Sequence, residues 1–304
     1  MTKRWSLALL ATTALVQSVW LAAGPQPVDP VRPVPLVSAC AAELAVRVAD
    51  VGVLGCDPTG RGRAVLALGD PATAAHVVVL VPGSDIDLAT LDDPLDPARR
   101  PLGWARGLAA ASGPDTAVVL WVGYPTPQGL GLDAATGRLA RAAAPALVQQ
   151  VDALRARPGV PPTTTVVGHS YGAVVVALAA PQLQVDDVVL VASPGARAAD
   201  VDALDSPARV WAARAADDWI RRVPGVAVGD LGHGPDPTDP AFGARLLPAG
   251  DTRDHADYFR PGTEFLTALA DVVRGAGAER AAGAERGADV VRGADVVRDA
   301  GVDR

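Results

Sequence analysis

Apolar positions along this chain fall into two recurring patterns. The first is the short unbroken run: His76-Val77-Val78-Val79-Leu80-Val81, Ala117-Val118-Val119-Leu120-Trp121-Val122, Thr164-Thr165-Val166-Val167 and Asp187-Val188-Val189-Leu190-Val191. Each runs into a turn that holds Gly. Runs this short, rich in Val and apolar at successive rather than alternate positions, predict strands buried on both faces, as in the middle of a parallel sheet. The second pattern is the longer Ala-rich or amphipathic segment. Residues 41–51, 103–111, 138–156, 173–180 and 263–273 read as helices, and 63–69, 208–213 and 244–248 as further strands. Strand and helix alternate, so the expected class is α/β: a mostly parallel central sheet with helices on both faces.

One turn in this series carries chemistry. Gly168-His169-Ser170-Tyr171-Gly172 ends a predicted strand and opens a predicted helix. The pattern G-x-S-x-G in that setting is the nucleophile elbow of the α/β-hydrolase fold, where a strained turn needs small neighbours and lifts the Ser hydroxyl clear of the backbone. The helix dipole and the N–H of Tyr171 then favour an oxyanion beside Ser170. The bland alternative is a Gly-rich turn with an idle Ser, in a chain of 31 Gly. The nucleophile reading requires an acid and then a histidine further along.

Both are present in that order. The strand at 208–213 leads into Asp217-Asp218-Trp219-Ile220, and the residues alone do not choose between the two acids. His255 follows the strand expected at 244–248 and precedes the closing helix, where the fold delivers its base. His233 leaves too little chain after the acid for both a crossover and a last strand. His76 opens its strand at the far end of the sheet, and His169 is turned away from Ser170 within the elbow. Pro82-Gly83-Ser84-Asp85 follows the strand that supplies the second oxyanion donor in this architecture; the Ser84 N–H is the candidate, although the segment alone is equally an ordinary turn. Gly123-Tyr124-Pro125 leaves its strand at the carboxyl end, where ligands bind in open α/β sheets.

Composition narrows the class further. The net charge is −7, and nothing points to nucleic acid, whose binding needs basic patches. Asp85, Asp87, Asp92 and Asp93 sit in a Pro-rich stretch, 85–101, read as a solvated surface loop over the site rather than a metal cluster. The expected chemistry uses no cofactor and no metal. Lys3 and Arg4 precede an uncharged, mainly apolar run, 5–23, near the minimum for a membrane span and long for a signal peptide. Export with cleavage and retention as an N-terminal membrane anchor both fit, with localisation outside the cell or in its envelope. Val37-Ser38-Ala39-Cys40 is displaced from that run by a Pro-rich linker, which argues against a lipidated Cys. Cys40 and Cys56 are the only cysteines; in an exported protein they are expected to form a disulfide, the alternative being two buried thiols. The expected organisation is a leader and linker over 1–36, one catalytic domain over 37–275 and a low-complexity tail over 276–304, where Ala-Asp-Val-Val-Arg and Gly-Ala-Glu-Arg repeat.

Taken together, Val81-Pro82-Gly83, Trp121-Val122-Gly123-Tyr124, the elbow, Ser193-Pro194-Gly195, Asp218-Trp219-Ile220, Leu231 through Pro237, Phe242-Gly243-Ala244-Arg245 and His255 followed by Tyr258-Phe259 resemble an actinobacterial group of α/β-hydrolases, the DUF1023 group. The resemblance covers about 64–272. It implies an α/β-hydrolase fold and a Ser-Asp-His triad, which falls on Ser170, Asp218 and His255, and so favours Asp218 over Asp217. It implies no substrate. The acids of Asp254-His255-Ala256-Asp257 depart from the small residues more usual in that group. The resulting expectation is an exported serine hydrolase acting on small-molecule or lipid esters. An acyltransferase on the same triad is the enzymatic alternative, and a non-catalytic binding module on the same scaffold is the alternative of another class.

Overall fold

The computed structural model of the chain describes residues 29–275. The apolar run 5–23 and the repeat tail from 276 onward lie outside the described residues. Ten strands and six α-helices follow one another through that span. α1 is Ser38–Arg47, followed by β1 Gly52–Asp57, β2 Arg63–Leu68 and β3 His76–Val81. Then come α2 Pro101–Ser112, β4 Thr116–Val122, α3 Leu132–Ala135, α4 Arg138–Arg155 and β5 Thr163–His169. After these lie α5 Tyr171–Ala179, β6 Asp187–Val191, β7 Arg209–Ala213, β8 Ala227–Val228, β9 Leu231–Gly232, β10 Arg245–Leu246 and α6 Glu264–Val273.

Eight strands form one sheet in the order β1-β2-β4-β3-β5-β6-β7-β10. β2 alone runs against its neighbours, being antiparallel to β1 and β4, and the other pairings are parallel. The fold class is therefore the expected one. Successive side chains of the central strands point to opposite faces. Val78 and Leu80 join a cluster with Leu44, Leu102, Leu108, Phe265 and Leu269 from α1, α2 and α6. Val77, Val79 and Val81 join another with Leu147, Val151, Val174 and Val175 from α4 and α5. Each central strand is thus covered on both sides, which is why its sequence shows no polar alternation.

The helix ends explain where the expected boundaries moved. Pro101 sits at the first position of α2, where its missing N–H costs nothing, and Gly113 at φ 88 stops that helix. The Thr263 side chain accepts from the Leu266 amide and starts α6. The last strand is much shorter than expected, Arg245–Leu246, and pairs only with Trp211 and Ala212 of β7.

β1 had no counterpart in the sequence reading. It is an edge strand with two glycines and a register irregularity between Val53 and Gly55, so its pattern is blurred. It carries Cys56, which is bonded to Cys40 of α1. The expected disulfide is present, and it ties α1 to β1. The Pro-rich segment before α1 runs along the domain: Val31 N–H donates to the Ala142 carbonyl and Cys56 N–H to the Pro35 carbonyl, each at 2.8 Å. A bridge closing sixteen residues of sequence removes about 3 kcal/mol of unfolded-chain entropy. The double variant Cys40→Ser, Cys56→Ser is therefore expected to lose about 2–4 kcal/mol in urea unfolding; an unchanged midpoint would contradict this.

The loop expected to be a solvated acidic cover is partly built in. Asp87 is 9% exposed and ion-paired with Arg61, Asp92 pairs with Arg47, and Leu91 is fully buried. The carboxylates of Asp87 and Asp92 are taken up by arginines from elsewhere in the fold. Among the described residues no group of three or more His, Cys, Asp or Glu side chains is arranged to hold a metal ion.

Candidate active site

The carboxyl ends of β3, β5 and β7 and the segment after β10 meet at one edge of the sheet. β5 ends at His169, and Ser170 turns the chain directly into α5 with φ 56 and ψ −128. A positive φ at a non-Gly residue costs on the order of 1–3 kcal/mol and persists only where its surroundings enforce it. They do so here. A Cβ on Gly168 would lie 2.5 Å from the Ala173 Cα, and one on Gly172 would lie 2.2 Å from the Val81 carbonyl oxygen. The need for small neighbours, expected from the motif, is steric in both cases.

The structure brings Ser170, His255 and Asp218 into one line. Ser170 Oγ is 2.8 Å from His255 Nε2, and His255 Nδ1 is 2.9 and 3.0 Å from the two oxygens of Asp218. A single proton on Nδ1 satisfies Asp218 and leaves Nε2 free to accept from the Ser170 hydroxyl. Asp217 is exposed and takes no part, so the acid in contact is Asp218.

Asp218 has no exposed surface. Burial pushes its carboxyl up, but hydrogen bonds from His255, the Ile220 amide and the Tyr258 hydroxyl outweigh it and hold the group below the usual carboxylate range. Tyr258 Oη donates to Asp218 Oδ2 at 2.8 Å while accepting from the Ala215 amide at 2.8 Å. The sequence around Tyr258 carries no local mark of this contact. Trp219, next to the acid, lies with its ring 4.7 Å from that of His255.

His169 makes no hydrogen bond to Ser170, in keeping with its expected direction, but it does have a place in the site, against His255. Its Nε2 lies 2.7 Å from the His255 carbonyl oxygen, and its ring packs against Trp104 at 4.7 Å. Burial first, and the nearby His255 second, hold its imidazole down at about 3, so it stays neutral and donates from Nε2. The unfolded chain protonates this group below its ordinary 6.5. Between about pH 6.5 and about pH 3 the unfolded state therefore binds more protons, and stability falls as pH drops, by up to about 1.4 kcal/mol per unit. Urea midpoints at about pH 7.5 and about pH 5 should show this slope. His169→Gln should reduce it, leaving the share of His233, which burial also lowers. A slope unchanged in His169→Gln would contradict the assignment.

His233 lies away from the line. Its Nε2 is 2.8 Å from the Ala134 carbonyl and its ring stands edge-on to Tyr171 at 5.7 Å. His76 opens β3 at the opposite end of the sheet.

Ser84 and Tyr171 face the same cavity as Ser170, one of about 390 Å³. Tyr171 is the first residue of α5, where amide groups have no intrahelical acceptor. Gly83 lets the β3 loop close in: a Cβ there would lie 2.7 Å from the Ser170 Cβ and 3.0 Å from the Tyr171 nitrogen. The rest of the cavity is formed by Pro194 and by residues of 130–135 and 219–233. Residues 85–101, expected to cover the site, contribute nothing to its lining among the described residues. The β8–β9 hairpin that does so is too short to be read from sequence.

A three-layer sheet in this order, with a strained Ser after its central strand, defines an α/β hydrolase. The family model described as alpha/beta hydrolase matches residues 57–228, and the chain belongs to that family. The match includes Ser170 and Asp218 and ends before His255. Two curated proteins of Mycobacterium tuberculosis, from strains CDC 1551 / Oshkosh and H37Rv and both described as uncharacterized, are 34% identical over 253 residues. The similarity covers 72% of this chain and 38% of theirs, so the chain spans well under half the length of these relatives. Among solved structures, esterase PE8 is 18% identical with a TM-score of 0.43, over 68% of this chain and 96% of that one. A Xanthomonas campestris α/β serine hydrolase described as lacking a lid is 21% identical with a TM-score of 0.44, over 76% of this chain and 94% of that one.

Proposed function

We propose that the protein is an exported serine hydrolase that cleaves carboxylic esters through an acyl-enzyme on Ser170. The observation that carries this is the unbroken hydrogen-bonded line from Ser170 Oγ through His255 to Asp218. The Ser170 oxygen bonds to the ester carbonyl carbon while its proton passes to His255 Nε2. Negative charge collects on the carbonyl oxygen, which the amides of Tyr171 and Ser84 receive. The carbon–oxygen bond to the alcohol breaks, and His255 returns its proton to the leaving oxygen. Water then repeats the sequence: its proton goes to His255, its oxygen bonds to the acyl carbon, and the Ser170 oxygen leaves and regains a proton. The products are a carboxylic acid and an alcohol. Asp218 stays ionised throughout and stabilises the imidazolium, the role for which its lowered pKa suits it.

Small-molecule or lipid esters are the proposed substrates. Membership of the actinobacterial DUF1023-type group is part of the proposal, supported by the motifs that carry the resemblance. So is an organisation in which 1–36 serve as leader or membrane anchor with linker and 276–304 as a tail on the catalytic domain. Localisation outside the cell or in its envelope is supported by the charged-then-apolar N-terminus and by the Cys40–Cys56 disulfide, a bond that persists in oxidising compartments. The direct test is release of nitrophenol from p-nitrophenyl acetate and butyrate by the purified chain. Turnover is expected; a folded chain that turns over neither ester would overturn the proposal.

A further inference from the structure

We propose that the cavity beside Ser170 is a preformed cleft for a long linear acyl chain, so that the favoured esters are those of fatty acids. This deepens, and rests on, the ester-hydrolase reading of the same site.

Position decides which half of the ester enters. Ser170, Ser84 and Tyr171 stand at its floor, on the side of the two oxyanion amides; His255 is not among its lining residues, and Trp219, whose ring lies 4.7 Å from that of His255, borders both. The leaving alcohol must stand where His255 Nε2 can protonate it. The alcohol is therefore directed toward His255, and the acyl chain runs into the cavity.

The lining chemistry then names the chain. No Asp, Glu, Lys or Arg lines the cavity among the described residues. Ile220 and Val223 lie nearer the acid, and Leu130, Val226, Val228 and Leu231 form the lips. These four are 75, 60, 77 and 53% exposed and line one cavity together. A cluster of exposed apolar side chains at one place marks a binding surface. An acetyl group occupies only the floor. A volume of about 390 Å³ holds roughly a dozen groups the size of a water molecule, at about 30 Å³ each, and a methylene is of similar size. Only a chain of that order reaches and covers the lips.

The lips are also held in place without ligand. Asp230, at the tip of the β8–β9 hairpin, pairs with Arg141 and, at 3.0 Å, with Arg197, and accepts from the Gly137 amide at 3.2 Å. Arg197 donates to the Gly232 carbonyl at 2.6 Å, and His233 donates to the Ala134 carbonyl at 2.8 Å. The Asp230 and Arg197 bonds tie the hairpin lip to the start of α4 and to the loop after β6, and the His233 bond ties it to the 130–135 lip, so little ordering is required when a chain binds.

Two measurements test this. In the first, kcat/KM is measured for p-nitrophenyl acetate, butyrate, octanoate and dodecanoate. A fully buried methylene contributes about fourfold; in an open-sided cleft we expect about twofold each, hence about 60-fold from acetate to octanoate. Val228→Asp and Leu130→Gln, on opposite lips and both well exposed, should flatten that rise. In the second, Ser170→Ala protein, which cannot be acylated, is titrated calorimetrically with dodecanoate and hexanoate. Dodecanoate should bind at least tenfold more tightly, and Val228→Asp should remove most of the difference. A flat or falling chain-length profile in a protein that turns over acetate, or a dodecanoate affinity indifferent to both lip variants, would overturn the cleft. Dodecanoate bound as expected with no ester turned over would remove the ester-hydrolase reading and leave the cleft standing.

Discussion

Replacing Ser170 with Ala should abolish ester turnover while leaving the fold intact. The expected loss in kcat is on the order of 10⁶, the scale seen when the nucleophile of a serine protease is removed. The variant deletes one oxygen. That oxygen is 2.8 Å from His255 Nε2 and belongs to a residue lining the cavity, so its removal takes away both the proposed bond-forming atom and the proton that His255 accepts. Nothing else in the site depends on it. The Ser170 amide still donates to the Val191 carbonyl and its carbonyl still accepts from the Ala173 amide. The main chain remains at φ 56, which Ala tolerates about as poorly as Ser, so the elbow should neither relax nor worsen. Circular dichroism and a melting curve matching wild type would establish the fold, and nitrophenol release the activity. A folded Ser170→Ala within about tenfold of wild type would show that the hydroxyl is not the nucleophile.

Asp218→Asn should cost about 10⁴ in kcat, and Asp217→Asn less than about twofold. The two positions are adjacent, so the comparison isolates direction from composition. Asp217 is exposed, whereas Asp218 is fully buried and accepts from His255, the Ile220 amide and the Tyr258 hydroxyl. An Asn at 218 keeps the size but turns an NH₂ toward either His255 or Tyr258, both donors in the native arrangement. The imidazole is then driven to the tautomer with its proton on Nε2, where it cannot accept from Ser170. The charge that stabilises the imidazolium is also gone. Tyr258→Phe removes one of the bonds that hold the Asp218 carboxyl down against burial. Its effect should be intermediate, about tenfold. Equal losses at 217 and 218 would contradict the arrangement.

The sequence made the centre of the fold and the core of the site readable for a common reason. Buried parallel strands leave unbroken Val-rich runs, and the elbow leaves glycines that sterics require at 168 and 172. His255 was found by counting elements, since a base after the last strand needs a crossover before it. What stayed illegible depends on contacts distant in sequence. His169 and His255 meet across eighty-six positions, and Tyr258 reaches Asp218 across forty. Neither contact has a local pattern. The cavity walls failed for another reason. A hairpin with two residues in each strand is too short for periodicity, and it is held by Asp230, Arg141 and Arg197 rather than by an apolar face. The Asp and Pro content of 85–101 predicts a solvated loop, whereas Asp87 and Asp92 are neutralised by arginines that composition cannot assign to them.

Activation of Ser170 is read without any assumption about substrate by its reaction with a fluorophosphonate probe. The Ser170 oxygen bonds to phosphorus, fluoride leaves, and His255 takes the hydroxyl proton. Intact-mass analysis should show one phosphonate per chain, and peptide mapping should put it on Ser170. The adduct should be absent in Ser170→Ala and formed far more slowly in His255→Gln, whose folded state is checked separately. Folded wild-type protein that takes up no probe, or takes it up on another residue, would contradict the account.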